Sequence, residues 1–157
     1  MNKSQIPAAQ KEVLSLLLDD HRHAQALFRQ FESETAPDKK EQIAQTVCTE
    51  LAVHTMLEEE IFYPYLRQAD AEAFGDQLDE AVVEHASVRA LIEQLQGMSP
   101  KDDLYIAKVT VLGEYVSHHV KEEENEMFPM VVKKKVDLRD ILEPLKERKQ
   151  ALLEAQA

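Results

Sequence analysis

A chain of 157 residues is the size of one ordinary domain and can bury a substantial core without disulfides or a partner. With 44% hydrophobic and 31% charged residues, three glycines and no tryptophan, it favours long helices over strands, and the expected fold class is all-α. A net charge of -12 repels phosphate backbones and anionic lipid, and the short basic cluster Lys133 to Lys135 does not offset it, so neither nucleic acid nor membrane is an expected partner.

Cys48 is the only cysteine, which rules out an intramolecular disulfide and fits a reducing compartment. The opening MNKSQIPAAQ lacks the apolar centre of a signal peptide, and no stretch approaches the roughly 20 apolar residues of a membrane span. The expected address is the cytoplasm.

Apolar residues recur at steps of three and four through Val13, Leu14, Leu17, Leu18, His21, Leu27, Phe28 and Phe31, so residues 8 to 34 read as an amphipathic helix. TAPDKK stops it, and Pro37 suits the first turn of a second helix running to about 67, with Pro64 expected to kink or end its last turn. A third helix fits 70 to 96, with Val82, His85, Val88, Leu91, Ile92 and Leu95 on one side and Gly97 as its C-terminal cap. Ser99, Pro100, Asp102 and Asp103 supply a cap, a first-turn proline and acids, opening a fourth helix that continues to about 134. Short connections between four long helices predict an antiparallel up-down four-helix bundle over residues 8–135. Residues 136–157 form a C-terminal extension, read as a short extra helix bent at Pro144 whose leucines cover a bundle end or mediate homo-oligomerisation.

The chain repeats itself. His21 in DDHRHAQALF matches His85 in VEHASVRALI at a shift of 64, while His54, Glu58 and Pro64 match His119, Glu123 and Pro129 at a shift of 65. Each unit is one histidine on a first helix and HxxxE on the next. Within a unit the two histidines lie 33 or 34 residues apart, enough for a helix to run up, turn and return to the same level. Residues four apart share a helix face, with Cβ atoms about 6 Å apart, so each His and Glu point inward together. Two hairpins therefore bring four imidazoles and two carboxylates to one level.

A dry core does not tolerate six such groups, each costing about 1 to 3 kcal/mol without a partner. Two metal ions satisfy them, each taking two imidazoles and sharing both carboxylates. Mixed nitrogen and oxygen ligation with vacant positions suits iron and the binding of oxygen or a related species, and manganese or zinc fits the same ligands. The phrases DDHRH, HTMLEEEIFYP, VEH and HHVKEEENEMFP, over about residues 12 to 132, make the chain resemble a hemerythrin-like (HHE) cation-binding domain of the four-His, two-Glu type. That resemblance implies a non-heme di-iron centre, two iron ions with His21, His54, His85 and His119 as terminal ligands and Glu58 and Glu123 as bridges. The sequence departs from the oxygen carriers, which have a fifth histidine at the position of Arg89 and a His and Asp as the last pair. Simple reversible oxygen carriage is thereby put in doubt, and both ions keep room for a small diatomic or peroxide ligand.

Other residues read more plainly. His118 and Glu122 also make an HxxxE, but Val116 and Leu112 stand to His119 as Leu51 and Val47 stand to His54, so His118 is read as solvated. His23, about 200° around the helix from His21, is read as a surface residue. Glu59, Glu60, Glu122 and Glu124 are read as solvated faces, any of which could orient a ligand imidazole. Phe62, Phe128, Tyr63, Tyr65 and Tyr115 are read as packing, and Cys48 as an inert thiol. Three functions stay open: a di-iron binding protein for sensing, iron handling or protection; a di-iron enzyme reducing peroxide or nitric oxide, or delivering iron and repairing iron centres; and a metal-stabilised interaction module.

Overall fold

The computed structural model describes residues 1–156, built of helices and turns with no strand among them. Helix α1 (Ala8–Ser33) buries Val13, Leu14, Leu17, Leu18, His21, Ala24, Leu27 and Phe31, the three-and-four stride that its sequence announces. Helix α2 (Pro37–Leu57) opens with Pro37 in its first turn, where a missing N–H costs nothing.

Pro64 does not end the helix that carries it. A single π-turn, Glu58–Phe62, links α2 to α3 (Tyr63–Ala69), and the Tyr63 N–H donates to the Glu58 carbonyl five residues back. Proline lacks an N–H and its ring presses on the carbonyl four residues earlier. Widening the turn just ahead of Pro64 absorbs both problems and lets the helix run on. Pro129 is handled alike: α5 (Tyr105–Glu122) passes through a π-turn, Glu123–Met127, into α6 (Phe128–Lys133), with the Phe128 N–H on the Glu123 carbonyl. Both π-turns begin on the glutamate of an HxxxE, in keeping with the concentration of such turns at functional sites.

Helix α4 (Ala71–Gln96) is capped by Asp70, whose carboxylate accepts from the Ala73 N–H. The fourth long helix starts later than the sequence suggests. Instead of Ser99 capping it, the Asp102 carboxylate accepts from the Ser99 N–H at 2.8 Å and the Asp102 N–H donates to the Ser99 carbonyl at 2.9 Å. This local ring competes with helical bonding. Leu104 then takes a left-handed φ of 70°, and α5 begins at Tyr105, which is buried against Phe31.

The tail is part of the core. A 3-10 turn, Arg139–Ile141, leads into α7 (Leu142–Gln156), and Leu138, Leu145 and Leu152 are buried. Pro144 falls in the first turn of α7, where its absent N–H would have no acceptor, so the proline lies at the start of the helix and does not interrupt it. The Leu138 N–H donates to the Ala9 carbonyl and the Gln10 amide to the Val136 carbonyl, tying the tail to the start of α1. Helix α7 lies along α2.

Helix α1 packs on α2 and α5, and α4 on α5 and α2. Their buried apolar residues form two clusters, one around Leu17, Phe62, Leu66, Phe74, Leu78 and Phe128, the other around Leu27, Phe31, Val47, Ile92, Leu112 and Val116. Between them lies a layer of buried polar side chains.

Candidate metal centre

That layer holds all six residues singled out by the repeat: His21 on α1, His54 on α2, His85 on α4, His119 on α5, and Glu58 and Glu123 at the starts of the π-turns. All are buried, Glu58 at 0% and Glu123 at 1% exposure. The Nε2 of His21 stands 3.0 Å from Glu123 Oε1, and the Nε2 atoms of His54 and His85 stand 3.3 and 3.2 Å from Glu58 Oε1. His119 Nε2 lies 3.4 Å from Glu123 Oε1 and 3.1 Å from His85 Nε2. Two donor groups result, His21, His54, Glu58 and Glu123 on one side and Glu58, His85 and His119 on the other, sharing Glu58.

The outward nitrogens reveal the chemistry of this layer. Every Nδ1 faces a carboxylate: His21 faces Glu124 at 3.0 Å, His54 Asp20 at 2.8 Å, His85 Glu59 at 3.1 Å and His119 Glu84 at 2.8 Å. A carboxylate at Nδ1 fixes a proton there and leaves the Nε2 lone pair pointing inward. Four lone pairs then converge on two carboxylates, and acceptor meets acceptor. His54 Nε2 and Glu58 Oε2 are buried without a hydrogen-bond partner. Cations at the centre of each group resolve the conflict, so the donor set fits metal.

Without a metal, protons on the imidazoles are what relieve this conflict. Burial pulls the His54 imidazole down, but Glu58 and Asp20 outweigh it and raise its pKa to about 10. His119 and His21 are likewise raised against burial, chiefly by Glu123. Burial pushes the Glu58 carboxyl up, yet the histidines, His54 foremost, hold it well below the usual range. The layer favours positive charge, which a divalent ion supplies in more concentrated form.

Each orienting carboxylate is itself held from outside. Glu124 takes the Met1 amino group, Asp20 takes Lys149 from α7, Glu59 takes Arg89, and Glu84 lies 3.5 Å from His118 Nε2. Position 89, singled out in the sequence as a departure, thus steers His85 through Glu59 instead of reaching inward. Glu59 and Glu124 are orienting groups; Glu60 pairs with Arg148 and Glu122 with His118 at the surface. His118 and His23 are 67% and 58% exposed, as read from the sequence. Cys48 is buried and its thiol is raised by burial to about 11.

Sequence reasoning missed three participants. Asp20 and Glu84 immediately precede the first histidine of each repeat and match at the same shift of 64, a signal that was present. Tyr63 is not simple packing: its hydroxyl donates to Glu123 Oε2 at 2.8 Å and lies 3.2 Å from Glu58 Oε1. Its partner in the repeat, Phe128, stacks flat on His21 with ring centres 5.8 Å apart.

Beside the donors lies a cavity of about 90 Å³ walled by Ala24, Leu51, Val88, Val116 and Val120, with Lys149 and Leu153 of α7 at its edge. No helix among the described residues is long and apolar enough to cross a membrane.

Comparison with known proteins places the chain in a family. One curated relative is a DNA nickase of Nostoc sp. (strain PCC 7120), 27% identical over 112 residues, which are 71% of this chain and 31% of that protein. Another is an uncharacterised hemerythrin-like protein of Schizosaccharomyces pombe, 25% identical over 117 residues, 74% of this chain and 58% of that protein. The chain thus spans less than three-fifths of the length of either. No solved structure matches it. The hemerythrin HHE cation-binding domain matches residues 12–131, the stretch that carries both repeats and all six central donors, and to that family the chain belongs.

Proposed function

We propose that this protein holds two iron ions in the buried layer, with His21 and His54 on one ion, His85 and His119 on the other, and Glu58 and Glu123 bridging them. The observation that carries the reading is the convergence of four Nε2 lone pairs on two buried carboxylates while every Nδ1 is committed to an acid. Mixed imidazole and carboxylate ligation favours iron over softer alternatives, with manganese or zinc able to take the same donors. The scaffold in this reading is an antiparallel up-down four-helix bundle over 8–135: α1 and α4 pass from the first apolar cluster to the second, and α2 and α5 pass back.

When bound, the metal pair supplies open positions and redox capacity for a small exogenous ligand. The chain's own part is to aim the imidazoles through Asp20, Glu59, Glu84 and Glu124, and to keep bulk water out with apolar walls. A cavity of about 90 Å³ admits a diatomic or peroxide and excludes organic substrates of ordinary size. This supports oxygen or a related species as ligand, in sensing, iron handling or protection. Nicking of DNA is not carried over from the Nostoc relative: the net charge of -12 opposes a phosphate backbone.

Loading metal-free protein with ferrous iron under argon and then admitting air tests the reading. It requires about two irons per chain and the growth of near-ultraviolet ferric absorption. Iron near zero per chain ends it. The same cavity also supports an enzyme that reduces peroxide or nitric oxide; steady-state turnover that vanishes in His119→Ala distinguishes that role from binding.

A further inference from the structure

The paired positions of the two halves of the layer carry the same functional group in every case but one. Asp20 matches Glu84, His21 matches His85, His54 matches His119, Glu58 matches Glu123 and Glu59 matches Glu124, but Tyr63 matches Phe128. Phe128 ends in carbon against His21. Tyr63 carries an oxygen into the half that contains His85 and His119.

The position of that oxygen is specific. It lies 2.8 Å from Glu123 Oε2, 3.2 Å from Glu58 Oε1, and 3.4 Å from both His85 Nε2 and His119 Nε2. Donor atoms about 2.1 Å from one ion and at right angles to each other are about 3.0 Å apart. The phenol oxygen therefore stands at close to the spacing of neighbouring ligands from all four donors at once. A tyrosine that served only to satisfy a carboxylate would need one such contact. Its ring is held in place by stacking on His85, with centres 5.5 Å apart, and by Phe62 at 5.9 Å. On α4, Glu84 is committed to His119 Nδ1 and Arg89 turns outward to Glu59, so neither is directed at the ion position.

We propose that Tyr63 is a fifth protein ligand to the ion between His85 and His119, which makes the two metal positions chemically different. This inference rests on the two-metal reading above. On coordination the phenol O–H bond breaks, an iron–oxygen bond forms and the proton leaves to solvent; no electron is transferred. The ion held by His21 and His54 has no phenol, and it keeps the more open coordination sphere. The apolar cavity touches all four histidines, so the preference of an exogenous ligand for that ion comes from the absent phenol and not from access.

The test uses the full chain loaded with ferrous iron and oxidised in air, with iron counted per chain. Resonance Raman spectra excited in the visible should show tyrosinate ring modes beneath a broad phenolate-to-iron charge-transfer band, and both should vanish in Tyr63→Phe with iron still at two per chain and helical circular dichroism unchanged. If Tyr63→Phe fails to fold, wild-type protein grown with ring-deuterated tyrosine decides the matter, because the modes must then shift. Two irons per chain without tyrosinate modes, or modes that persist in a folded Tyr63→Phe, overturn the proposal and leave the two-metal reading standing. Iron near zero per chain overturns both.

Discussion

Asp20→Asn isolates the aiming of a ligand from the ligand itself. Asp20 Oδ2 accepts the His54 Nδ1–H at 2.8 Å and its other oxygen takes Lys149 at 2.7 Å. Burial works against this carboxylate, but His54 and Lys149 outweigh it and hold its pKa below the ordinary value. The amide keeps an oxygen facing His54 and removes the charge. A hydrogen bond to a charged group contributes about 1.5 to 3 kcal/mol and a neutral one about 0.5 to 1.5, so the loss is about 1 to 2 kcal/mol, or about 5- to 30-fold in affinity. Removal of the group that orients a metal-bound histidine typically weakens binding about 10- to 100-fold. The overlap sets the expectation at about 10- to 30-fold weaker binding of the ion beside His54. Competition with a chromophoric chelator measures it, with Glu84→Gln expected to behave alike on the ion beside His119 and Glu60→Gln, which breaks only the surface pair with Arg148, expected to leave both ions unaffected. Asp20→Asn binding within twofold of wild type would falsify the claim that carboxylates at Nδ1 set the ligands.

Further consequences can be measured separately. Ala24→Leu fills the apolar cavity, so the ferric protein should keep two irons yet lose its azide-induced absorption change; retention of that change places ligand entry elsewhere. Leu145→Ala in α7 removes a fully buried side chain and should cost about 2 to 5 kcal/mol in urea unfolding, whereas a tail that is merely appended would show under about 0.5. Cys48 is raised in the folded state to about 11, above the unfolded value of about 8.5. Its contribution to stability is full below about pH 8.5 and is lost as pH rises toward 11, and at pH 8 a thiol reagent should label it only on unfolding; rapid labelling of native protein would contradict its burial.

How much of this was legible depends on whether the signal is periodic. A helix such as Ala8–Ser33 writes itself as apolar residues three and four apart, and the six central residues stand out because a spacing of four within a helix and a shift of 64 or 65 between halves both repeat. The start of α5 did not: Ser99-Pro100 has the chemistry of a helix opening, and only the competing bond from Asp102 and the burial of Tyr105 move the start to residue 105. Pro64 read as a break because the π-turn that accommodates it has no composition of its own. Glu59 and Glu60 are neighbours of identical chemistry, yet one aims His85 and the other meets Arg148 in solvent.

The sequence by itself determined which long stretches are helical, which face of each helix is apolar and which six polar side chains recur at one level, since all of these follow from the fixed rise and twist of the helix. The tertiary structure decided which of 30 acids aim the imidazoles, that the tail closes onto its own chain, and that Tyr63 and Phe128 differ in what they deliver to the centre. Those outcomes depend on distances between helices, to which no rule of sequence spacing applies.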